Sequence, residues 1–166
     1  MNYIRKWQKT DAPELAKALF NKKVQDNLRD GLPYPYTEEN ALEYIESIQK
    51  ADENDVFVFA VVADGKVVGN VGVERQKNVH RLTAELGYYL DEEYWGKGIM
   101  TEAVKELCAY VFDVSDIVRI FAVTYADNVA SCRVLEKAGF LSEGVLKKAA
   151  IKNGVIKDLK TYALLR

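Results

Sequence analysis

The chain has 166 residues, 49% of them hydrophobic and 29% charged, with a formal net charge of −2. That length fits a single domain over residues 1–166, burying roughly 70% of its unfolded surface. The near-neutral balance excludes the broad cationic field expected of a nucleic-acid-binding domain. The longest apolar run, Val56 to Ala63, is too short to cross a bilayer, so no membrane association is expected.

In chain order, residues 3–7 alternate well enough for a first strand. Asp11-Ala12-Pro13-Glu14 has the pattern of a capping box with proline in the first turn, and Leu15, Leu19 and Phe20 supply the apolar side of the helix that follows. Residues 27–36 carry two prolines and are expected to be irregular. Thr37 caps a second helix with Ala41, Tyr44, Ile45 and Ile48 on one stripe. Val56 to Val62 and Val67 to Val73, joined through Asp64-Gly65, form a hairpin, and Leu82 to Leu90 form a third long strand. A further helix follows the glycine-containing loop, with Met100, Val104, Leu107, Cys108 and Val111 inward. Val118 to Thr124 read as a buried strand. Asp127-Asn128 start a last helix that Gly139 ends, and Val145 to Ile151 pair with Val155 to Leu165 across Asn153-Gly154. The expected class is α/β: a mixed, mostly antiparallel sheet with helices on both faces and one right-handed β-α-β crossover.

Cys108 and Cys132 fall in helical patterns and are expected to be reduced and buried, although spacing alone leaves a disulfide open. With one histidine, His80, there is no ligand-like spacing, so no metal is expected. His80, beside Arg81, reads as a solvated link residue. Residues 1–10 contain Arg5, Lys6 and Lys9 but no apolar stretch; no signal peptide is expected, and the cytoplasm is the expected compartment.

The most informative segment runs from Leu86 to Glu102: a strand, an acidic bend (Asp91-Glu92-Glu93), a loop with Gly96 and Gly98, and a helix start. Glycines let the backbone approach a ligand closely, and the first N–H groups of a helix favour an anion. The loop is neither G-x-G-x-x-G nor G-x-x-x-x-G-K-[ST], and Lys97 has no Ser or Thr after it to hold a metal, so Mg-nucleotide chemistry is not indicated.

This segment, the preceding Gly87-Tyr88-Tyr89-Leu90, and Asn128-Val-Ala-Ser131-Cys-Arg-Val-Leu135-Glu-Lys-Ala-Gly139-Phe140 together resemble the GNAT superfamily of acyl-CoA N-acyltransferases, within it the ribosomal-protein N-terminal acetyltransferase (Rim-type) branch. The resemblance covers essentially the whole chain. It implies acetyl transfer from acetyl-CoA to a primary amine, foremost the N-terminal α-amine of a ribosomal protein, by direct attack in a ternary complex. Transfer to a small amine (polyamine, aminoglycoside or amino acid) is the enzymatic alternative; an acyl-CoA-binding sensor without turnover is the non-enzymatic one. The family's loop pattern, [Gln/Arg]-x-x-Gly-x-[Gly/Ala], is matched strictly only at Gly98, with Trp95 first and Met100 last.

By that resemblance Trp95, Gly96, Lys97, Gly98, Ile99, Met100 and Thr101 form the pyrophosphate loop, and Asn128 contacts the pantetheine arm or caps its helix. Main-chain N–H groups near Tyr89 and Leu90 are the candidate oxyanion donors, since a strand leaving its neighbour frees its donors. Leu135 stands where many relatives have a catalytic tyrosine; in the Rim-type branch the serine at the place of Ser131 is the proton donor instead. Cys132 lies about 100° round the helix from Ser131 and reads as packing. Glu85, a carboxylate in an apolar strand, is the candidate base or amine-orienting group, against a solvated position. Tyr34, Tyr36 and Tyr88 are candidates for the acceptor pocket, against simple cover of the sheet edge. The expected state is monomer or homodimer, the closing hairpin being free to extend a partner's sheet.

Overall fold

The structure is a computed structural model and describes residues 1–166. Its centre is the apolar hairpin of β2 (Val56–Ala63) and β3 (Lys66–Arg75), closed by Asp64 and Gly65 with φ of 52° and 75°. Two positive φ angles match the right-handed twist of the strands they join. β1 (Asn2–Arg5) adds to β2, and β4 (Thr83–Leu90) adds to β3. β5 (Arg119–Tyr125), β6 (Leu141–Lys152) and β7 (Val155–Leu165) complete a seven-stranded sheet in the order β1-β2-β3-β4-β5-β7-β6. Only the β4–β5 pair is parallel, and α4 (Ile99–Val114) is its crossover.

Helices cover both faces because β2 and β3 are apolar on both. On one face α4 and α5 (Val129–Lys137) close a core containing Val104, Leu107, Val111, Leu135 and Phe140. On the other, α1 (Ala12–Leu19), α2 (Lys22–Gln25) and α3 (Glu38–Lys50) enclose Trp7, Leu15, Leu19, Tyr36 and Ile45. Trp7 donates its indole N–H to Asn70 Oδ1 at 2.8 Å, which joins these two buried polar groups across the layer. The sheet and helix layers agree with the expected class.

Local departures have identifiable causes. β1 stops at Arg5, because the Asp11 carboxylate turns back to accept from Gln8 N–H (2.9 Å) and from both terminal nitrogens of Arg5. Asp11 therefore does not cap α1 with its side chain. Phe20 is the C-cap of α1, 56% exposed, and lies against Tyr34 rather than in the core. Asn21 then caps the unforeseen α2 through Lys23 N–H (2.9 Å). The closing hairpin begins at Leu141, directly after Gly139 (φ 94°) ends α5. Both cysteines are buried and free; burial alone pushes the Cys108 thiol up to about 12.

Leu107 is wholly buried under the sheet. Leu107→Ala should cost about 2–5 kcal/mol of stability through lost transfer energy and the void left behind. Urea unfolding measures it; a loss below about 1 kcal/mol would mean that α4 is not packed as described.

Candidate active site

β4 and β5 are paired only at Thr83–Arg119, Ala84–Ile120 and Glu85–Phe121. Beyond these, β4 stays with β3 as far as Leu90, and β5 stays with β7 as far as Tyr125. The two strands consequently diverge into a fork. In an antiparallel ladder, hydrogen-bonded residues alternate. Asp91 N–H donates to Val68 O and Gln76 N–H to Thr83 O, both at 2.8 Å, which assigns odd-numbered β4 residues to β3. Leu86, Tyr88 and Leu90 therefore turn their main-chain groups into the fork. This divides the expected oxyanion pair: the Leu90 N–H faces the fork, whereas that of Tyr89 faces β3. The Tyr89 ring lies in the α1–α3 layer, its buried hydroxyl without a hydrogen-bond partner.

At the open end of the fork lies the glycine loop. Gly98 is the N-cap of α4 in the left-handed conformation (φ 76°), with no side-chain cap, and Gly96 has φ 73°. The N–H groups of residues 96–101 make no main-chain or side-chain hydrogen bond; the first helical one is Glu102 N–H to Gly98 O. Such a run of free donors at a helix start can receive a pyrophosphate. Trp95 acts on the strand instead: its indole N–H donates to Leu90 O at 2.8 Å, clipping the loop to the fork. Lys97 rests over the Tyr94 ring, 5.1 Å from its centroid.

The acidic bend also fastens the loop. Glu92 accepts from Asn21 (2.8 Å) and Lys23 (2.7 Å), and Lys17 lies 3.6 Å from Asp91 and 3.5 Å from Glu93. Hydrogen bonds from Asn21 and then Lys23 hold the Glu92 carboxyl below the usual carboxylate range. These acids tie α1 and α2 to the loop rather than lining a pocket.

Fork and loop open into one cleft of about 590 Å³. Tyr89, Leu90 and residues 94–101 form one wall, and Asn128 and Ser131 the other. Asn128 caps α5, its Oδ1 accepting from Ser131 N–H at 3.2 Å. The Ser131 hydroxyl lies 2.6 Å from the Tyr88 hydroxyl, which also reaches Ser131 O at 3.2 Å. Burial pushes the Tyr88 phenol up to about 12, against the opposing effect of its hydrogen bond to Ser131, so it stays protonated at neutral pH.

Glu85 ends the paired part of β4 and, being odd-numbered, sits on the opposite face from Tyr88 and Ser131. Its side chain is 24% exposed and paired with Arg29 at 2.5 Å, so it is neither free in solvent nor buried alone. The three tyrosines do not form one pocket. Tyr36 is in the α1–α3 core, where burial pushes its phenol up to about 12; an aromatic after Pro35 in a non-repeating segment gave no sign of that depth. Tyr34 is half-exposed and lines a separate small cleft. Tyr88 alone reaches the main cleft, beside Ser131. Sequence reasoning missed Arg133 and Lys137, which bring positive charge to the cleft from α5, and Val24, Asn27 and Leu28, which close its other side. The i, i+4 spacing of the two cations was the available signal.

Gly98→Val should weaken coenzyme A binding at least tenfold, because the left-handed backbone that opens α4 excludes a β-branched residue. Calorimetry reads this directly, and unchanged affinity would remove the loop from the site. Tyr88 yields a second expectation. Its folded pKa lies above the ordinary 10.0, so the stability from its neutral form is complete below pH 10 and is lost as pH rises through about 12. Tyr88→Phe should therefore lose less stability over that range, measured by urea unfolding at each pH; an identical decline would contradict the burial.

Comparison with known proteins agrees with this geometry. A family profile described as "Acetyltransferase (GNAT) domain" matches residues 3–141. "Probable N-acetyltransferase YjcK" of Bacillus subtilis (strain 168) is 39% identical over 74% of this chain and 67% of its own length. "Putative ribosomal N-acetyltransferase YdaF" of the same organism is 31% identical over 98% of this chain and 90% of its own. The crystal structure of the ribosomal-protein-S5-alanine acetyltransferase from Vibrio fischeri superposes with a TM-score of 0.85 at 26% identity, covering 98% of this chain and 91% of that one. The chain thus belongs to the GNAT family and is an acetyl-CoA-dependent N-acetyltransferase.

Proposed function

We propose that residues 1–166 form one domain that acetylates the N-terminal α-amine of a protein, foremost a ribosomal protein, by direct attack within a ternary complex. The observation that carries this reading is the fork: main-chain donors at its open end, a Ser131–Tyr88 hydroxyl pair on one face and Glu85 on the other. Two of the three relatives above have names that specify ribosomal acceptors, and this chain covers 90% and 91% of their lengths.

Acetyl-CoA supplies a thioester-activated acetyl group and leaves as a thiolate whose parent pKa, about 8.5, makes it a good leaving group. No covalent enzyme intermediate is then needed, and holding both reactants in place supplies much of the rate. The N–H groups of residues 96–101 hold the pyrophosphate, with Lys97, Arg133 and Lys137 offsetting its charge. Asn128, already a cap through Oδ1, keeps its amide N–H free for the pantetheine arm. The Leu90 and Tyr88 N–H groups face the fork and are placed to stabilise negative charge on the acyl oxygen. When the Tyr88 O–H donates to Ser131 Oγ, the serine proton is left for the departing thiolate. Glu85 orients the incoming amine or takes its proton. An α-amine, with a reference pKa of about 8 against 10.4 for lysine, needs less help from such a base.

The polyamine reading is weaker, because the acids of the bend are engaged by Lys17, Lys23 and Asn21 rather than left to a cationic substrate. Release of free thiol from acetyl-CoA, followed with peptides, polyamines, aminoglycosides and amino acids, tests the proposal. Peptides with free N-termini should be acetylated in preference, and Ser131→Ala should lower kcat by roughly 10²-fold or more with acetyl-CoA affinity little changed. Coenzyme binding without thiol release with any amine would make the chain a sensor; full activity of the variant would remove Ser131 as the acid.

A further inference from the structure

Residues 26–30, just after α2, cross the acceptor side of the fork and are fastened on three sides. Tyr125 at the end of β5 donates its hydroxyl hydrogen to Leu28 O at 3.0 Å. Arg29 donates to Glu85 on β4 at 2.5 Å. From the β6–β7 hairpin, Asn153 donates to Asp26 at 2.9 Å and Lys152 to Asp30 at 3.0 Å. The segment is a partition. Val24, Asn27 and Leu28 line the main cleft, whereas Lys22, Asp26, Arg29 and Lys152 line a second cleft of about 200 Å³.

Arg29 belongs to the second cleft and reaches past the partition to Glu85 on β4, which lines neither cleft. Its side chain is exposed, its guanidinium makes no polar contact other than with Glu85, and Glu85 sits where the fork begins. An ammonium approaching Glu85 from this side meets a site that already holds a cation. Two cations on one carboxylate repel, so entry of the amine weakens the hold of Glu85 on the exposed guanidinium and favours its exchange for another anion. The nearest acids on its own segment, Asp26 and Asp30, are engaged by Asn153 and Lys152. A released Arg29 beside Lys22 and Lys152 is therefore matched by an anion that arrives with the acceptor. A planar guanidinium suits a carboxylate especially well.

We propose that Arg29 is a specificity-determining residue: it exchanges Glu85 for a carboxylate carried by the acceptor, selecting N-termini with Asp or Glu within their first few residues. This rests on the reading of the acceptor as a protein N-terminus.

The test uses peptides identical except for Glu, Gln or Lys near the N-terminus, with wild type, Arg29→Ala and Arg29→Glu, following thiol release. Calorimetric binding of coenzyme A, undiminished in each variant, verifies that it is folded. In wild type, KM should be about fivefold lower for the Glu peptide than for the Gln peptide, the size of an exposed ion pair. Arg29→Ala should abolish the difference, and Arg29→Glu should reverse it in favour of the Lys peptide, a reversal that a merely structural role would not produce. Equal KM values in wild type, or a Glu preference that survives in both variants, would overturn the role of Arg29 while leaving the transferase reading intact. Thiol release with small amines but with none of the peptides would overturn the protein acceptor, and this inference with it.

Discussion

The rest of the site depends on the loss of pairing between β4 and β5 after Glu85–Phe121. A strand that leaves a neighbour exposes main-chain polar groups, which are costly unless they find another partner. Here the cost is contained because each strand keeps its outer neighbour to its end, β3 for β4 and β7 for β5. Only the inward-facing groups are left for a ligand, and one of them, Leu90 O, is taken by the Trp95 indole. The fork is thus a defect in one ladder of an otherwise continuous sheet. Intact pairing borders the defect on both sides.

Around it the molecule separates its tasks by face. Even-numbered residues of β4 point toward α4 and α5, where Tyr88 meets Ser131; odd-numbered ones point toward α1–α3, where Glu85 meets Arg29. The hydroxyl pair and the carboxylate therefore lie on opposite faces of the sheet where the fork begins. Charge pairs among Lys17, Lys23 and the acidic bend connect the α1–α2 layer to the glycine loop at the fork's mouth.

Much of this was legible in the chain. The hairpin at Asp64-Gly65, the cap at Thr37, the stop at Gly139 and the α4 stripe are local patterns that the fold adopted without conflict. The loop at Gly96 and Gly98 was readable because its backbone demands are specific. What was not legible is non-local. The register that gives Leu90 rather than Tyr89 a free N–H is set by β3, and the depth of Tyr36 by helices on either side of an irregular segment. Likewise Asp11 resembled an N-cap by local pattern but was claimed by Arg5 six residues earlier. The pairing of Glu85 with Arg29 joins residues 56 apart in sequence, beyond any spacing rule.

Trp95 has one more consequence. Of the two tryptophans, Trp7 is 3% exposed in the α1–α3 layer, whereas Trp95 is 41% exposed on the wall of the cleft. Their emission should differ in colour, a blue component from the dry interior and a redder one from the wetted wall. The red component alone is sensitive to what enters the fork, so the protein carries its own optical gauge of occupancy, with the other indole as internal reference.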